Sequence, residues 1–437
     1  MHFSKKQILA ILAFAGAAAA SPVSYGVETV SHKGTRVVRL ETLTEKDVAF
    51  AKGLVDNLHL DTWTHGYKVG SHVDVAIPVS VQAEFDRLAL KAGLKTHLMH
   101  ADLGTAIEEE SRISTEALAK TTFSAQDGPD PNWFTAYHPY DQHLKYLDSL
   151  VASFPGHAEI VTSGKSTNGK PITGIHIWGK QKGKEAIVLH GNVHAREWIT
   201  SKVTEYFAYN LLKGTGSNAT VALSSMTDNY DYFIFPVVNP DGFVYSQENN
   251  RMWRKNRLSP GGSSCVGTDI NRNWDYKWNL SGGASTNKCA EDYKGTAAGS
   301  TEEFKGLSAF LKNLVSTVGV KLFIDYHSYS QLIMSPWGYT CDTPAPDEAE
   351  HMRVMKVWEA AMQKPYGTKF DYGPSCTTIY PTTGDSTDYT YGALKIVHSY
   401  SVELRDTGRS GFVLPPAQIA PSGDEAFQGL QALVGVF

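Results

Sequence analysis

A histidine and a carboxylate lie three residues apart in this chain, directly after an apolar run, 186–189, that predicts a buried strand. In a turn between that strand and a helix, His194 and Glu197 can point to one place, and they are two of the three protein ligands that a catalytic zinc ion takes. This spacing alone is common, so a third ligand is needed. His327, which follows the apolar run 320–324, is the candidate. The alternative for His327 is a buried histidine bonded to backbone.

These residues belong to six short motifs that follow one another along the chain. The motifs are His194-Ala-Arg-Glu-Trp198, Trp253-Arg-Lys255, Asp269-Ile-Asn-Arg-Asn-Trp274, His327-Ser-Tyr-Ser330, Thr377-Thr-Ile-Tyr380 and Glu403-Leu-Arg-Asp-Thr-Gly408. Together and in this order they resemble the secreted zinc metallocarboxypeptidases of the pancreatic carboxypeptidase A/B type, carboxypeptidase A most of all. The resemblance runs from about residue 133 to the C-terminus. We therefore expect a metallocarboxypeptidase that acts on peptides and proteins with a free C-terminus.

The resemblance implies a metal centre with one Zn²⁺ per chain and a general base. It implies that His194, Glu197 and His327 bind the ion and leave one position open for water, whose pKa falls from about 15.7 towards roughly 7. Asp269 is expected to orient His194. Glu403 is expected to act as the general base and then as the proton donor to the leaving amine.

The resemblance also implies residues that recognise the substrate. Arg272 offers a bidentate guanidinium fork to a C-terminal carboxylate, and Asn271 adds a donor. Arg254 is expected to stabilise the oxyanion that develops on the scissile carbonyl, a contribution of typically about 2.7–4 kcal/mol to the barrier. Tyr380 is expected to close over the bound carboxylate, and Arg196 to contact the substrate further from the cut.

The pocket for the terminal side chain leaves two specificities open. Its expected lining is Met334, Gly338, Ser375, Ile379, Thr382, Asp385, Thr387 and Ser401. Thr387 is neutral where basic-preferring members of the family have an acidic residue, so hydrophobic or aromatic ends are predicted. Asp385 stands where neutral-preferring members usually have glycine, so a mixed or basic (Lys/Arg) preference is the alternative. A half-buried carboxylate is costly unless it reaches solvent, a partner or a cation.

The elements that must position these residues alternate between strands and helices. Apolar runs at 186–189, 232–238 and 320–324 predict buried strands, and helical spacing of apolar residues recurs near 144–154 and 304–314. This alternation is typical of an α/β fold. We expect a mixed, mostly parallel twisted sheet with helices on both faces.

A smaller unit is predicted at the N-terminus, where strands and helices follow the order of an α/β open sandwich. Its elements are strand 35–40, helix 45–58, strands 60–63 and 72–77, helix 82–92 and strand 95–98. This unit resembles the family's inhibitory propeptide, so a zymogen is expected. The predicted domains are a signal peptide 1–20, an inhibitory propeptide 21–112, an activation linker 113–131 and the zinc carboxypeptidase catalytic domain 132–437. Arg112 and Lys120 are candidate sites for an activating trypsin-like protease.

The first twenty residues predict export. Lys5 and Lys6 precede the apolar run 8–20, which ends in small residues and is too short to span roughly 30 Å of hydrocarbon. This pattern is typical of a secretory signal, so a secreted, extracellular protein is expected. Asn218 and Asn279 begin N-glycosylation sequons, which agrees with export.

Four cysteines fit two disulfides in an oxidising compartment, and four allow three pairings. Our default pairs nearest neighbours, and the family's disulfides fit the same pairing. The predicted disulfides are Cys265 with Cys289 and Cys341 with Cys376.

Composition excludes several classes of protein. The chain has 437 residues, of which 42% are hydrophobic and 19% charged, so it is globular. Its net charge of −5 lacks the basic excess of a nucleic-acid binder. No apolar run after the first approaches about 18 residues, so we expect no membrane partner, and a monomer is the default.

Three hypotheses of different class remain for the function. They are a zinc exopeptidase, a related metallohydrolase acting on a non-peptide amide or ester, and a catalytically dead binding protein on the same scaffold. Asn271, Arg272 and Tyr380 all serve a C-terminal carboxylate and so favour the first. The third predicts a missing ligand or base, and none is missing.

Overall fold

The computed structural model describes residues 29–64, 67–121, 129–130, 132–216 and 220–437. The expected signal peptide, part of the expected linker and Asn218 lie outside these residues. Within the described ranges, the chain forms a four-stranded sheet in its N-terminal module and an eight-stranded sheet in the larger unit that follows. None of the described helices combines the length and apolarity needed to cross a membrane.

The N-terminal module has the predicted strand and helix order. Its elements are β1 Arg36–Thr42, α1 Glu45–Leu58, β2 Asp61–Thr62, β3 Ser71–Ile77, α2 Gln82–Ala92, β4 Thr96–His100 and α3 Leu103–Leu118. The strands pair antiparallel in the order β2-β3-β1-β4. Thr44 and Asp47 form a capping box at the start of α1, and Gly93 ends α2 in the left-handed region, so both helices have the predicted bounds.

Helix α3 extends into the expected linker 113–131. Residues 113–118, which the sequence places in the connector, continue a helix that Asp102 caps through the Thr105 amide. Leu103 and its apolar neighbours pack into a cluster shared with Tyr329 and Phe412 of the larger unit. This packing stabilises the helix, and the run of charges around residues 108–112 hides it in the sequence pattern.

The larger unit is an α/β sandwich. Its elements are α4 Tyr140–Ser153, β5 Ala158–Lys165, β6 Pro171–Ile177, β7 Ala186–Gly191, α5 Trp198–Lys213, α6 Val221–Asn229, β8 Asp231–Phe235, α7 Pro240–Glu248, α8 Glu302–Thr317, β9 Val320–Ser328, β10 Leu332–Ser335, α9 Glu348–Tyr366, β11 Asp371–Pro374, α10 Ser375–Thr378, α11 Ser386–Gly392, β12 His398–Leu404 and α12 Ile419–Val434. The strand order is β11-β10-β12-β9-β7-β8-β6-β5.

The centre of this sheet is parallel, and both of its faces are covered. Strands β12, β9, β7 and β8 run parallel, while β6 and β5 pair antiparallel at one side. Alternate residues of β7 enter two apolar cores: Leu189 packs with helices α4, α5, α9 and α12, and Val188 packs with α8 and α11. The expected mixed, mostly parallel sheet is therefore confirmed. Strand β8 ends at Phe235 and not at 238, because Pro236 cannot donate to the ladder.

The carboxyl ends of the central strands bring distant motifs together. Because β9 and β12 are parallel neighbours, His327 and Glu403 lie side by side in register. Strand β7 flanks β9 on its other side and leads into the turn that carries His194 and Glu197. The disulfides are those predicted, Cys265–Cys289 and Cys341–Cys376.

Candidate active site

Three buried side chains converge at the ends of β7 and β9. His194 lies in the turn after β7, Glu197 directly precedes α5, and His327 lies near the end of β9. The Nδ1 atom of His194 is 2.8 Å from Glu197 Oε1, and that of His327 is 3.1 Å from Glu197 Oε2. One potential ligand atom from each residue lies within 4.8 Å of the other two. Two imidazoles and a carboxylate fit a catalytic zinc ion that keeps a fourth position open.

Each histidine of this group has a carboxylate behind it. Asp269 Oδ1 accepts from His194 Nε2 at 3.1 Å, and Asp269 Oδ2 accepts from Arg254 at 2.9 Å. Burial opposes ionisation of Asp269, but Arg254 and His194 hold its pKa well below the usual range. Asp325 Oδ2 lies 3.3 Å from His327 Nε2, a partner that the motifs did not predict. The available signal was an acidic residue inside an apolar strand, two positions before His327 and so on the same face.

Glu403 faces the same pocket from β12. Its Oε2 atom is buried and has no hydrogen-bond partner among the described residues. Burial, together with the negative charge of Glu197, raises the pKa of Glu403 to about 8. One oxygen of the Glu403 carboxylate therefore makes no hydrogen bond to the described residues, and the residue lies next to His327, a proposed metal ligand.

A buried guanidinium lies in the same pocket. Arg272 donates to its neighbour's backbone, the Asn271 carbonyl, at 2.8 Å, and its Nη2 lies 3.5 Å from the Tyr380 hydroxyl. Its Nε has no partner within the part of the chain that the structure describes. The Asn271 side chain accepts from the Ser386 amide at 2.8 Å and approaches His327 Nε2 at 3.2 Å.

Seven of the eight residues expected to line the pocket do so: Met334, Ser375, Ile379, Thr382, Asp385, Thr387 and Ser401. Gly338 is not in the lining; a Cβ at that position would lie 2.2 Å from Thr382 Oγ1. Arg196 also lies outside the pocket lining. It is buried over the Phe412 ring at 4.2 Å and within 3.4 Å of Glu291. Asn279 is exposed.

Asp385 is satisfied by its own surroundings. As the N-cap of α11 it accepts from the Asp388 amide at 2.8 Å, and its other oxygen accepts from the Thr382 hydroxyl at 2.7 Å. Burial raises the pKa of Asp385, and burial with the charge of Asp385 raises that of Asp388 well above its usual range. A helix cap and a threonine therefore supply the partner that this carboxylate needs.

The N-terminal module lies over this site. One cavity is walled by Trp63 and Lys68 of the module on one side and by Arg254, Tyr380 and Glu403 on the other. Three polar contacts join the two units there: Lys68 Nζ to the Thr377 carbonyl at 2.7 Å, Arg39 to the Thr407 carbonyl at 2.6 Å, and the Tyr329 hydroxyl to Asp74 at 2.6 Å.

Comparison with known proteins agrees with this geometry. A zinc carboxypeptidase family model matches residues 143–429, and a carboxypeptidase activation peptide model matches residues 38–110. The chain is 40% identical over 427 residues to a metallocarboxypeptidase A of Arthroderma otae, covering 97% of this chain and 98% of the relative. It is 35% identical over 407 residues to carboxypeptidase A1 of Rattus norvegicus, covering 92% and 93%.

The crystal structure of thrombin activatable fibrinolysis inhibitor is similar in fold, with a TM-score of 0.83 and 25% identity, covering 92% of this chain and 98% of that one. The two family matches and the two relatives agree on the same enzyme class. The chain belongs to the zinc carboxypeptidase family and carries that family's N-terminal activation peptide.

Proposed function

We propose that this zinc carboxypeptidase is a secreted zymogen that removes hydrophobic or aromatic residues from the C-terminus of peptides and proteins. One observation carries the proposal: the Arg272 guanidinium is buried in the same pocket as His194, His327 and Glu403, and its Nε has no partner among the described residues. A buried guanidinium favours an anionic ligand that can accept from its fork. In every peptide, whatever its side chains, a main-chain carboxylate lies next to the last peptide bond, at the C-terminus.

The proposed ligands of the zinc ion are His194, Glu197 and His327. Zinc bound there supplies Lewis-acid chemistry and lowers the pKa of water from about 15.7 towards roughly 7. Glu403 takes the proton from the attacking water and passes it to the leaving amine nitrogen. Arg254, which Asp269 holds, donates to the oxyanion that develops on the scissile carbonyl.

The substrate end is held by groups on three segments. Arg272 and Asn271 bind the terminal carboxylate, and Tyr380 closes over it and excludes water. Arg196 contacts the substrate further from the cut. The two disulfides support an oxidising compartment, and the exposed Asn279 is the proposed glycan acceptor within the described residues. The proposed partners are the peptide substrate and an activating protease, and the proposed state is a monomer.

The test of the function is hydrolysis after limited trypsin treatment, with and without a zinc chelator. Peptides ending in Phe or Leu should lose that residue, the chelator should abolish the release, and peptides with an amidated C-terminus should remain intact. Cleavage of the amidated peptides at the same rate would favour a metallohydrolase that does not read the carboxylate. No release from any peptide would favour a catalytically dead scaffold.

The preference for apolar ends is supported by the base of the pocket. Thr387 brings no charge, and both oxygens of Asp385 already accept hydrogen bonds. Since burial raises the pKa of Asp385 and of Asp388, the pair attracts a cationic side chain less than two exposed carboxylates would.

We expect kcat/KM for peptides ending in Phe or Leu to exceed that for Lys or Arg by at least about 10- to 200-fold, the discrimination that a single methylene brings in a hydrophobic pocket. Asp385→Asn should leave this ratio nearly unchanged, because asparagine caps a helix as well as aspartate does. The Thr387→Asp variant should shift the preference towards Lys and Arg. Faster release of Lys and Arg by the wild type, lost in Asp385→Asn, would establish the basic specificity instead.

The activating cut is proposed to follow Lys120. Lys120 is exposed just after α3 ends at Leu118, whereas Arg112 lies within the helix and pairs with Glu109 and Glu116. A protease needs an extended segment, so cleavage after Arg112 would first require local unfolding of the helix. No Lys or Arg stands between residue 120 and the catalytic domain.

Limited trypsin treatment should therefore raise peptidase activity in step with cleavage after Lys120. In Lys120→Gln the activation should be much slower, while the matched variant Arg112→Gln should be activated at the wild-type rate. Mass spectrometry of the released fragment together with the activity assay measures both. Normal activation of Lys120→Gln, with a fragment ending at residue 112, would contradict this assignment.

A further inference from the structure

Asp325 lies behind the His327 ring, on the opposite side from Glu197. Its side chain is fully buried, and Oδ2 accepts from the Ser386 hydroxyl at 2.6 Å while lying 3.3 Å from His327 Nε2. Its Oδ1 has no hydrogen-bond partner among the residues described. Burying a carboxylate costs free energy unless the group is paired. The position of Asp325 behind a proposed metal ligand therefore needs an explanation.

A second group competes for the same ring nitrogen. The Asn271 amide nitrogen lies 3.2 Å from His327 Nε2. The orientation of this amide is set by the Ser386 backbone N–H, which donates to Asn271 Oδ1 at 2.8 Å. An amide nitrogen only donates, whereas an ionised carboxylate only accepts. The two neighbours therefore favour opposite tautomers of His327.

The choice between tautomers decides whether the ring can bind a metal. With the proton on Nε2, the Nδ1 atom that faces Glu197 at 3.1 Å presents a lone pair. With the proton on Nδ1, that lone pair is lost, and the ring accepts from Asn271 instead. We propose that Asp325 is a positioning residue that holds the Nε2–H tautomer of His327 against the competing amide of Asn271, so that Nδ1 stays available for zinc.

This arrangement also connects the metal group to the substrate-binding residues. Ser386 donates from its hydroxyl to Asp325 and from its backbone to Asn271, at the start of α11. Asn271 precedes Arg272, the proposed carboxylate-binding residue. Ser386 therefore orients both groups that contact His327 Nε2. The competing amide of Asn271 has its own role, because Asn271 is proposed to bind the substrate carboxylate.

The inference rests on the proposed zinc ligands, and it is tested by zinc affinity of the purified chain, measured by competition with a chromophoric chelator. Asp325→Asn should weaken zinc binding by about 10- to 100-fold, the usual cost of losing the outer partner of a ligand histidine. Adding Asn271→Ala to that variant should restore part of the affinity, because the competing donor is then gone. A purely structural role for Asp325 predicts no such rescue.

The matched control is Asp231→Asn. Asp231 is also buried and also contacts a histidine Nε2, that of His176 at 3.0 Å, but it lies at the start of β8, at the opposite end of the sheet from the site. This variant should bind zinc as the wild type does. Wild-type affinity in Asp325→Asn, or weak binding that Asn271→Ala does not improve, would overturn the inference. Failure of the proposed ligands themselves would look different, because the wild type would then bind no zinc.

Discussion

Glu403→Gln should bind one zinc ion per chain and lose nearly all turnover, with kcat lower by on the order of 1000-fold. The amide keeps the volume and position of the carboxylate but can no longer accept the proton from water. Zinc binding should persist because Glu403 lies beside the proposed ligand His327 without being one of the three ligand side chains. The measurement is kcat and KM of the trypsin-activated enzyme on a peptide ending in Phe, with metal content determined on the same sample.

The control for this prediction is Glu303→Gln. Glu303 is a fully buried glutamate that accepts from the Thr167 amide and from Asn256 at the start of α8, in the core and away from the pocket. Its loss of charge should lower the free energy of unfolding and leave kcat within a few-fold of wild type. A Glu403→Gln enzyme with wild-type kcat would remove Glu403 from the mechanism. Loss of zinc together with activity would make it a metal partner instead of a base.

Local signals were enough to predict the elements of the fold. The bounds of α1 and α2 follow from caps and apolar spacing that the sequence displays directly. Helix α3 was not predicted, although Asp102 offers a local cap, because the run of charges around residues 108–112 hides its apolar spacing. Its docking depends on a long-range contact of Glu110 with Arg251, at 2.6 Å and buried on both sides. Patterns within one segment do not report contacts across 141 residues of chain.

In the candidate site, too, some features could be predicted from the sequence and others required the tertiary structure. The residues that meet at the strand ends belong to motifs, and parallel strands bring their carboxyl ends to one edge. One of the two hydrogen bonds of Asp385 could have been predicted, because an aspartate just before a helix is typical of an N-cap. The hydroxyl of Thr382 and the competition between Asp325 and Asn271 arise only from tertiary placement, which no spacing in the sequence encodes.

His194→Ala should lose both zinc and activity, in contrast to the base variant. The imidazole is one of three proposed ligands, and the Asp269 carboxylate behind it, 3.1 Å from Nε2, would be left facing an empty space. Losing an outer partner of a ligand histidine typically costs about 10- to 100-fold in metal affinity, so losing the ligand itself should cost more than about 100-fold. The measurement is zinc affinity by chelator competition, with peptidase activity at saturating zinc as the second readout.

His351→Ala separates this effect from the loss of a buried ring. His351 is fully buried in α9, donates to the Val397 carbonyl at 2.8 Å and contacts neither the metal group nor the pocket lining. Both variants should unfold at lower temperature, since each loses a buried side chain. Only His194→Ala should release zinc, because only there does the lost ring carry a ligand nitrogen. Equal zinc affinity in the two variants would mean that the metal binds elsewhere in the chain. The reaction would then not take place beside Glu403.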